Sequence, residues 1–257
     1  MQVIIPMSGV GQRFIDAGYN TIKPLIMVEG KPIIQHVLER FDFDDRHTFI
    51  CNEDHLKTTD LENTLLSLRP NGEILSIKPH KKGPVFAVLQ AENAIELDQP
   101  TIVNYCDFSW RWDYNDFKKT VTENNSDGCV VAYKGFHPHL LGPNLYASMR
   151  HADNGWMDEI REKHTFTENK MDCHQSSGTY YFRDGKTLLK YFQELFSNDP
   201  TVNGEYYVSQ VYETMKKDNR KIYIYEIPIF LQWGTPEDLE EYLYWSEYFR
   251  EKMKKDC

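Results

Sequence analysis

The chain has too little cysteine to sustain a disulfide framework: its five cysteines, Cys51, Cys106, Cys129, Cys173 and Cys257, are odd in number and scattered. No pair has C-x-x-C spacing, so a zinc knuckle is not expected and the thiols read as reduced, as in a cytosol. No apolar run approaches the roughly 20 residues that a membrane helix needs. The first residues form a strand pattern with no charged and then apolar leader before it, so a cytoplasmic protein without a membrane partner is expected. Basic residues are in deficit, 29 Lys and Arg against 39 Asp and Glu for a net charge of −10, which excludes a general nucleic-acid footprint. His80, His137, His139, His164 and His174 show no repeated metal-ligand spacing, and packing or surface roles are expected for them. Internal repeats and low-complexity segments are absent too.

What is present is enough chain, 257 residues, for one large α/β domain with a sizeable core. Aromatic residues make up 14%, a high load available to line a pocket. Apolar runs read as strands at 2–6, 48–51, 73–77, 100–105 and 128–133. Helical spacing follows Pro32 and recurs over 54–68, from the 80–84 turn to 94, and over 113–124. Strand and helix alternate, which predicts a mainly parallel sheet. Beyond about residue 134 the alternation weakens. Short strands are expected at 145–149, 158–163 and 176–182, helices at 186–196 and 206–217, and a strand at 221–227. A final helix opens at Pro236 with Thr235 as its cap.

The chemistry-bearing stretch comes first. After the expected strand, Met7, Ser8, Gly9, Val10, Gly11, Gln12 and Arg13 form a loop whose glycines let backbone N–H groups approach an anion. Arg13 adds a planar fork of donors and Lys23 a point charge, a set that suits a triphosphate. A Walker A loop is excluded because no G-K-[ST] follows, and a dinucleotide loop would want a small residue where Phe14 stands. A plain turn with solvated cations is the remaining alternative. Asp107 ends the expected strand at 100–105, where open α/β sheets place ligands; it reads either as an oxygen ligand for Mg²⁺ or as a turn former. Asp107, Phe108, Ser109 is not the D-x-D of a metal-dependent glycosyltransferase. Gly83 and Pro84 read equally as a ligand-facing turn and as a helix start. Glu162 and Lys163, expected on a strand, would point to opposite faces, or else form a solvated charged edge. Glu205 sits at an expected helix start, where the dipole favours an acid.

The run from Ile5 to Phe14, with Asp16, Ala17, Gly18 and Tyr19, then Lys23, Pro24, Leu25 and Ile26, then Gly30, Lys31, Pro32, Ile33 and Ile34, resembles the signature of sugar-phosphate nucleotidyltransferases. Gly178, Tyr180 and Phe182 are similar to that family's acceptor strand, and the run from Trp233 to Leu239 to its closing element. Within the family, the chain resembles the capsule and surface-polysaccharide branch, most of all the cytidylyltransferases that act on phosphoglutamine. The resemblance implies a Rossmann-like (GT-A-like) α/β fold in one domain, with residues 1–134 binding nucleotide and 135–257 forming an acceptor-binding mixed α/β lobe and closing helices. It implies that an acceptor phosphate attacks the α-phosphorus of an NTP and releases pyrophosphate. Arg13, Lys23 and Lys163 would be catalytic, with Arg13 on the leaving pyrophosphate, Lys23 on the α-phosphate and Lys163 steering the acceptor phosphate. Met7, Ser8, Gly9, Gly11, Gln12, Arg13, Lys82 and Gly83 would bind nucleotide, and Glu162, Lys163, Gly178 and Glu205 the acceptor. Asp107 would hold Mg²⁺, and Gln232 stands near the place where many relatives carry a second acid. CTP and phosphoglutamine are the implied substrates. A sugar 1-phosphate with UTP, dTTP or CTP is the alternative, and a non-catalytic nucleotide sensor the remote one. Assembly into a homo-oligomer is left open.

Overall fold

The computed structural model describes residues 1–255. The chain opens with β1 (Gln2–Met7) and, past the glycine loop, the short α1 (Gln12–Asp16). A single 3-10 turn at Lys23–Leu25 and a ribbon of β2 (Met27–Val28) with β3 (Lys31–Pro32) lead into α2 (Ile33–Leu38). Next come β4 (Arg46–Asn52), α3 (Glu53–Thr58), α4 (Leu61–Leu68), β5 (Glu73–Ile77), α5 (Gly83–Gln90) and β6 (Thr101–Asn104). The middle of the chain holds β7 (Phe108–Arg111), α6 (Tyr114–Glu123), β8 (Gly128–Tyr133), β9 (Ser148–His151) and β10 (Met157–Arg161). It closes with β11 (His174–Phe182), α7 (Gly185–Asn198), α8 (Val208–Lys217), β12 (Ile222–Glu226), β13 (Ile229–Gln232) and α9 (Pro236–Lys255).

The central sheet is largely parallel. β1 lies between β4 and β6, parallel to both, and β5 is parallel to β4. β11 enters antiparallel between β6 and β8, and β12 is parallel to β8; β9 pairs antiparallel with the start of β11, and β10 antiparallel with β9. The alternation of side chains along a strand divides the core into two layers. Ile4 of β1 packs with residues of α5, α7 and α8, such as Val88, Leu188 and Tyr212. Its neighbours Val3 and Ile5 pack on the other face with Ile34, Val37, Leu65 and Phe117 of α2, α4 and α6. A third cluster joins Phe14, Val28, Ile33 and Trp233 to Leu239 of α9, so the last helix is fastened beside the first loop.

Three expectations need correction, and one pair of strands is an addition to them. The helix expected over 54–68 is two, α3 and α4, because Thr59 and Asp60 start a new one: the Leu61 N–H donates to Thr59 Oγ1 at 3.3 Å. The strand expected at 145–149 is displaced to β9. β10 ends at Arg161, so Glu162 and Lys163 lie in a turn rather than on a strand. The pair β7 and β13, antiparallel to one another, was not anticipated at all. Cys51, Cys106, Cys129 and Cys173 are free thiols, and Cys257 lies outside the described residues. No described helix is long and apolar enough to cross a membrane.

Candidate active site

The carboxyl ends of β1 and β6 open into a cleft of about 500 Å³. Met7 and Ser8 are buried at its floor, Gly9 is exposed, and Gly11 turns the chain at φ 72° into α1. The Gln12 amide faces outward and donates to Asp16 at 2.7 Å. Arg13 is exposed and, among the described residues, its guanidinium has no hydrogen-bond or ion-pair partner. Lys23 rests over the buried Phe14 ring, 5.1 Å from its centre. Its ammonium donates to Asp107 Oδ2 at 3.1 Å and to the Gly234 carbonyl at 3.0 Å. The antiparallel pairing of β7 with β13 sets Gln232 opposite Phe108, and the Trp233 N–H donates to the Asp107 carbonyl at 3.2 Å. A Cβ on Gly234 would lie 2.8 Å from Gln232 Nε2 and 3.1 Å from Asp107 Oδ2, so amide and carboxylate flank one point of backbone.

The far wall is formed by the turn after β10 and by the segment leading into α8. Lys163 takes φ 51° and swings its ammonium onto Tyr207, 3.3 Å from the hydroxyl and 5.0 Å from the ring centre. Glu162 accepts a short hydrogen bond from the Ser209 hydroxyl. Burial pushes its carboxyl up to about 7 against the opposing pull of Ser209 and Lys163. Gly178, at φ 91°, sits in a β-bulge where a Cβ would come within 2.7 Å of Phe108 and 3.1 Å of Tyr105. Glu205 also lines the cleft, and its charge, after burial, raises Tyr207.

Glu162 yields a stability prediction. Its proton is held to higher pH in the folded protein than in the unfolded chain, which ionises near 4.5. Below 4.5 no penalty is felt; stability falls as pH rises towards about 7 and stays reduced above it. Thermal melts of Glu162→Gln against wild type should therefore diverge through that window in favour of the variant. A constant offset at every pH would sink the assignment.

The cleft gathers every predicted site residue except Lys82. Lys82 lies just before α5, four residues from Phe86, and its ammonium stacks on that ring at 4.8 Å, outside the cleft; Lys81 lines the cleft in its place. His80, expected to have a packing or surface role, also lines it. Its Nδ1 accepts from the Lys82 N–H at 3.2 Å, so the remaining ring proton sits on Nε2 and donates to Ser8 Oγ at 2.9 Å. Burial, then the Lys82 charge, lowers this imidazole from its ordinary value. Tyr207, Ser209 and Tyr146 were missed. The two tyrosines had only the aromatic surplus as a signal and Ser209 had none; Tyr146 accepts a short hydrogen bond from the Gln232 amide.

A family model described as nucleotidyl transferase matches residues 2–245. A curated relative, the bifunctional protein GlmU of Bacillus cereus (strain AH187), is 22% identical over 228 residues, covering 88% of this chain and 47% of its own length. The chain thus spans about half the length of the curated relatives it matches. Among solved structures, the nucleoside-diphosphate-sugar pyrophosphorylase of Vibrio cholerae RC9 superposes with a TM-score of 0.77 at 18% identity, over 94% of this chain and 99% of that one. The inositol-1-phosphate CTP transferase of T. maritima does so with a TM-score of 0.68 at 13% identity, over 92% and 90%. At these identities the structural likenesses show the fold.

Proposed function

The chain belongs to the nucleotidyl transferase family, and on that premise we propose that it transfers a nucleoside monophosphate from an NTP to a phosphorylated acceptor, releasing pyrophosphate. The observation that carries the reading is the meeting, in one cleft, of the glycine loop with Arg13, Lys23, Asp107 and Lys163, residues from four separate stretches of chain. Arg13 and the amides of the Gly9–Gly11 loop take the β- and γ-phosphates, where charge accumulates as pyrophosphate leaves. Lys23 lies deeper and takes the α-phosphate. Lys163, held at Tyr207 across the cleft, draws the acceptor phosphate towards the α-phosphorus from the side opposite the leaving group. No covalent intermediate is required, so rate enhancement comes from position and charge.

Mg²⁺ suits this site only where substrate oxygens complete its shell. Among the described residues no cluster of three or more His, Cys, Asp or Glu side chains is arranged to hold a metal. One carboxylate, Asp107, with the neutral Gln232 beside it, matches the sparse protein ligation that Mg²⁺ accepts when phosphates supply the rest. When bound it neutralises charge on the triphosphate. Lys23, which donates to Asp107 Oδ2 at 3.1 Å, would share that carboxylate with the metal and lend its own charge to the α-phosphate.

CTP as donor and phosphoglutamine as acceptor, in capsular polysaccharide modification, is the favoured pairing; it rests on the resemblance of the whole chain to that branch. The second reading, synthesis of an NDP-sugar from a sugar 1-phosphate, draws support from the name of the Vibrio cholerae neighbour, a nucleoside-diphosphate-sugar pyrophosphorylase. Pyrophosphate release measured with Mg²⁺, each NTP and a panel of phosphorylated acceptors decides between them. Release confined to CTP with phosphoglutamine supports the first, and release with a sugar 1-phosphate the second. Nucleotide binding without release from any pair would leave a sensor.

A further inference from the structure

The first half of α9 is fastened to the protein by Leu239, which is fully buried against Trp233 and Ile33, with Tyr242 and Leu243 partly buried beside it. From Tyr244 to Met253 no residue of the helix is buried. Among the described residues, the helix beyond Leu243 is tied back only at Glu29, which accepts hydrogen bonds from Ser246 and, at 3.3 Å, from Arg250. Three turns of helix with so little support are marginal in water, because helical stability in proteins comes from packing an apolar face. Yet this segment is where the chain places Tyr244, Trp245, Tyr248 and Phe249, exposed by 65%, 45%, 42% and 57%. Trp245 stacks on Phe249 with ring centres 6.0 Å apart and meets Tyr248 edge-on at 5.8 Å, so the rings form one continuous surface. A patch of this kind marks an interaction surface.

The charges along α9 select the partner. Its first part carries the acids Glu237, Asp238, Glu240 and Glu241, and the part after the rings carries Arg250, Glu251 and Lys252, with Glu247 among the rings on another side of the helix. The helix dipole accounts for acids in the first turn and bases in the last, but not for the rings. Glu241, Tyr244, Trp245, Tyr248 and Lys252 recur at steps of three and four and share one stripe. Read from either end, that stripe runs from charge through aromatics to the opposite charge. A second copy rotated by half a turn therefore presents base to acid, ring to ring and acid to base.

We propose that α9 is the interface of a two-fold dimer of this chain, in which two copies of the helix pack antiparallel. Trp245 and Tyr248 of each copy meet those of the other, and Glu241 of each faces Lys252 of the other. This is the self-complementary contact that a two-fold axis requires. It stands independently of the reaction assigned to the cleft.

Sedimentation equilibrium of the whole chain tests this. Wild type is expected to be a reversible dimer, and Trp245→Ala with Tyr248→Ala a monomer with unaltered helix content and pyrophosphate release. Glu241→Lys and Lys252→Glu, each alone, should weaken the dimer about a hundredfold by setting like charges face to face. The double variant should regain wild-type affinity, and so should an equimolar mixture of the two single variants, since each supplies what the other lacks. A chain that stays monomeric at all concentrations, or a dimer indifferent to the aromatic changes, overturns the interface. Charge reversals that weaken singly but are not restored together overturn the antiparallel pairing.

Discussion

Arg13→Ala is expected to lower kcat by about a thousandfold, the scale on which a guanidinium or backbone donor aimed at developing phosphate charge contributes. It should do so with little change in thermal stability. Arg13 is exposed and, among the described residues, has no partner within the protein, so its removal strands no buried group and breaks no ion pair. The KM for the nucleotide should rise far less than kcat falls, because the loop amides still grip the ground-state triphosphate while the leaving pyrophosphate loses its permanent cation. Arg13→Lys should recover only part of the rate: an ammonium restores charge but not the planar pair of donors that fits two phosphate oxygens. Wild-type kcat in Arg13→Ala would remove Arg13 from the catalytic set and leave the loop as a turn.

Much of this half of the cleft was legible because its signals are local. A β-branched run followed by two glycines and an arginine says strand, loop and anion, and the parallel neighbours β1 and β6 bring Asp107 to Lys23 across 84 residues. The far wall was less legible, for reasons that are themselves physical. Glu162 and Lys163 continue the polar alternation of β10, and no glycine marks the left-handed turn that Lys163 makes at φ 51°. Lys82 was placed among the nucleotide contacts by the resemblance; what decides its direction is Phe86 one helical turn on. β7 and β13 are four residues each, too short for a period to show, and they pair across 120 residues at Trp110 and Phe230. Thr59 and Asp60, by contrast, carried a readable helix-start signal inside what looked like one helix.

Gly83→Ala should be the most damaging single methyl in the cleft. Gly83 takes φ 83°, and a Cβ there would lie 2.8 Å from the Tyr206 carbonyl oxygen and 2.9 Å from the Tyr206 nitrogen. Both are backbone atoms in a seam that holds α5 against the segment before α8: the Tyr206 N–H donates to the Lys82 carbonyl at 3.0 Å, and the Val85 N–H to the Tyr206 carbonyl at 3.2 Å. The methyl cannot be absorbed by rotating a side chain. Left-handed strain of about 1 kcal/mol, two hydrogen bonds of about 1 kcal/mol each and overpacking of about 1–3 kcal/mol together cost about 4–6 kcal/mol. Gly204→Ala separates these causes. It has nearly the same φ, 80°, with nothing within 4 Å of its Cβ, and should lose only the strain. Urea denaturation of the two variants measures the difference, and equal losses would mean that the seam yields freely. Because the seam also sets where Glu205 and Tyr207 stand, and Tyr207 holds Lys163, Gly83→Ala should raise the KM for the acceptor along with that for the nucleotide. A residue confined to the nucleotide side would move only the latter, so the pair of KM values reports whether the two walls of the cleft are mechanically one.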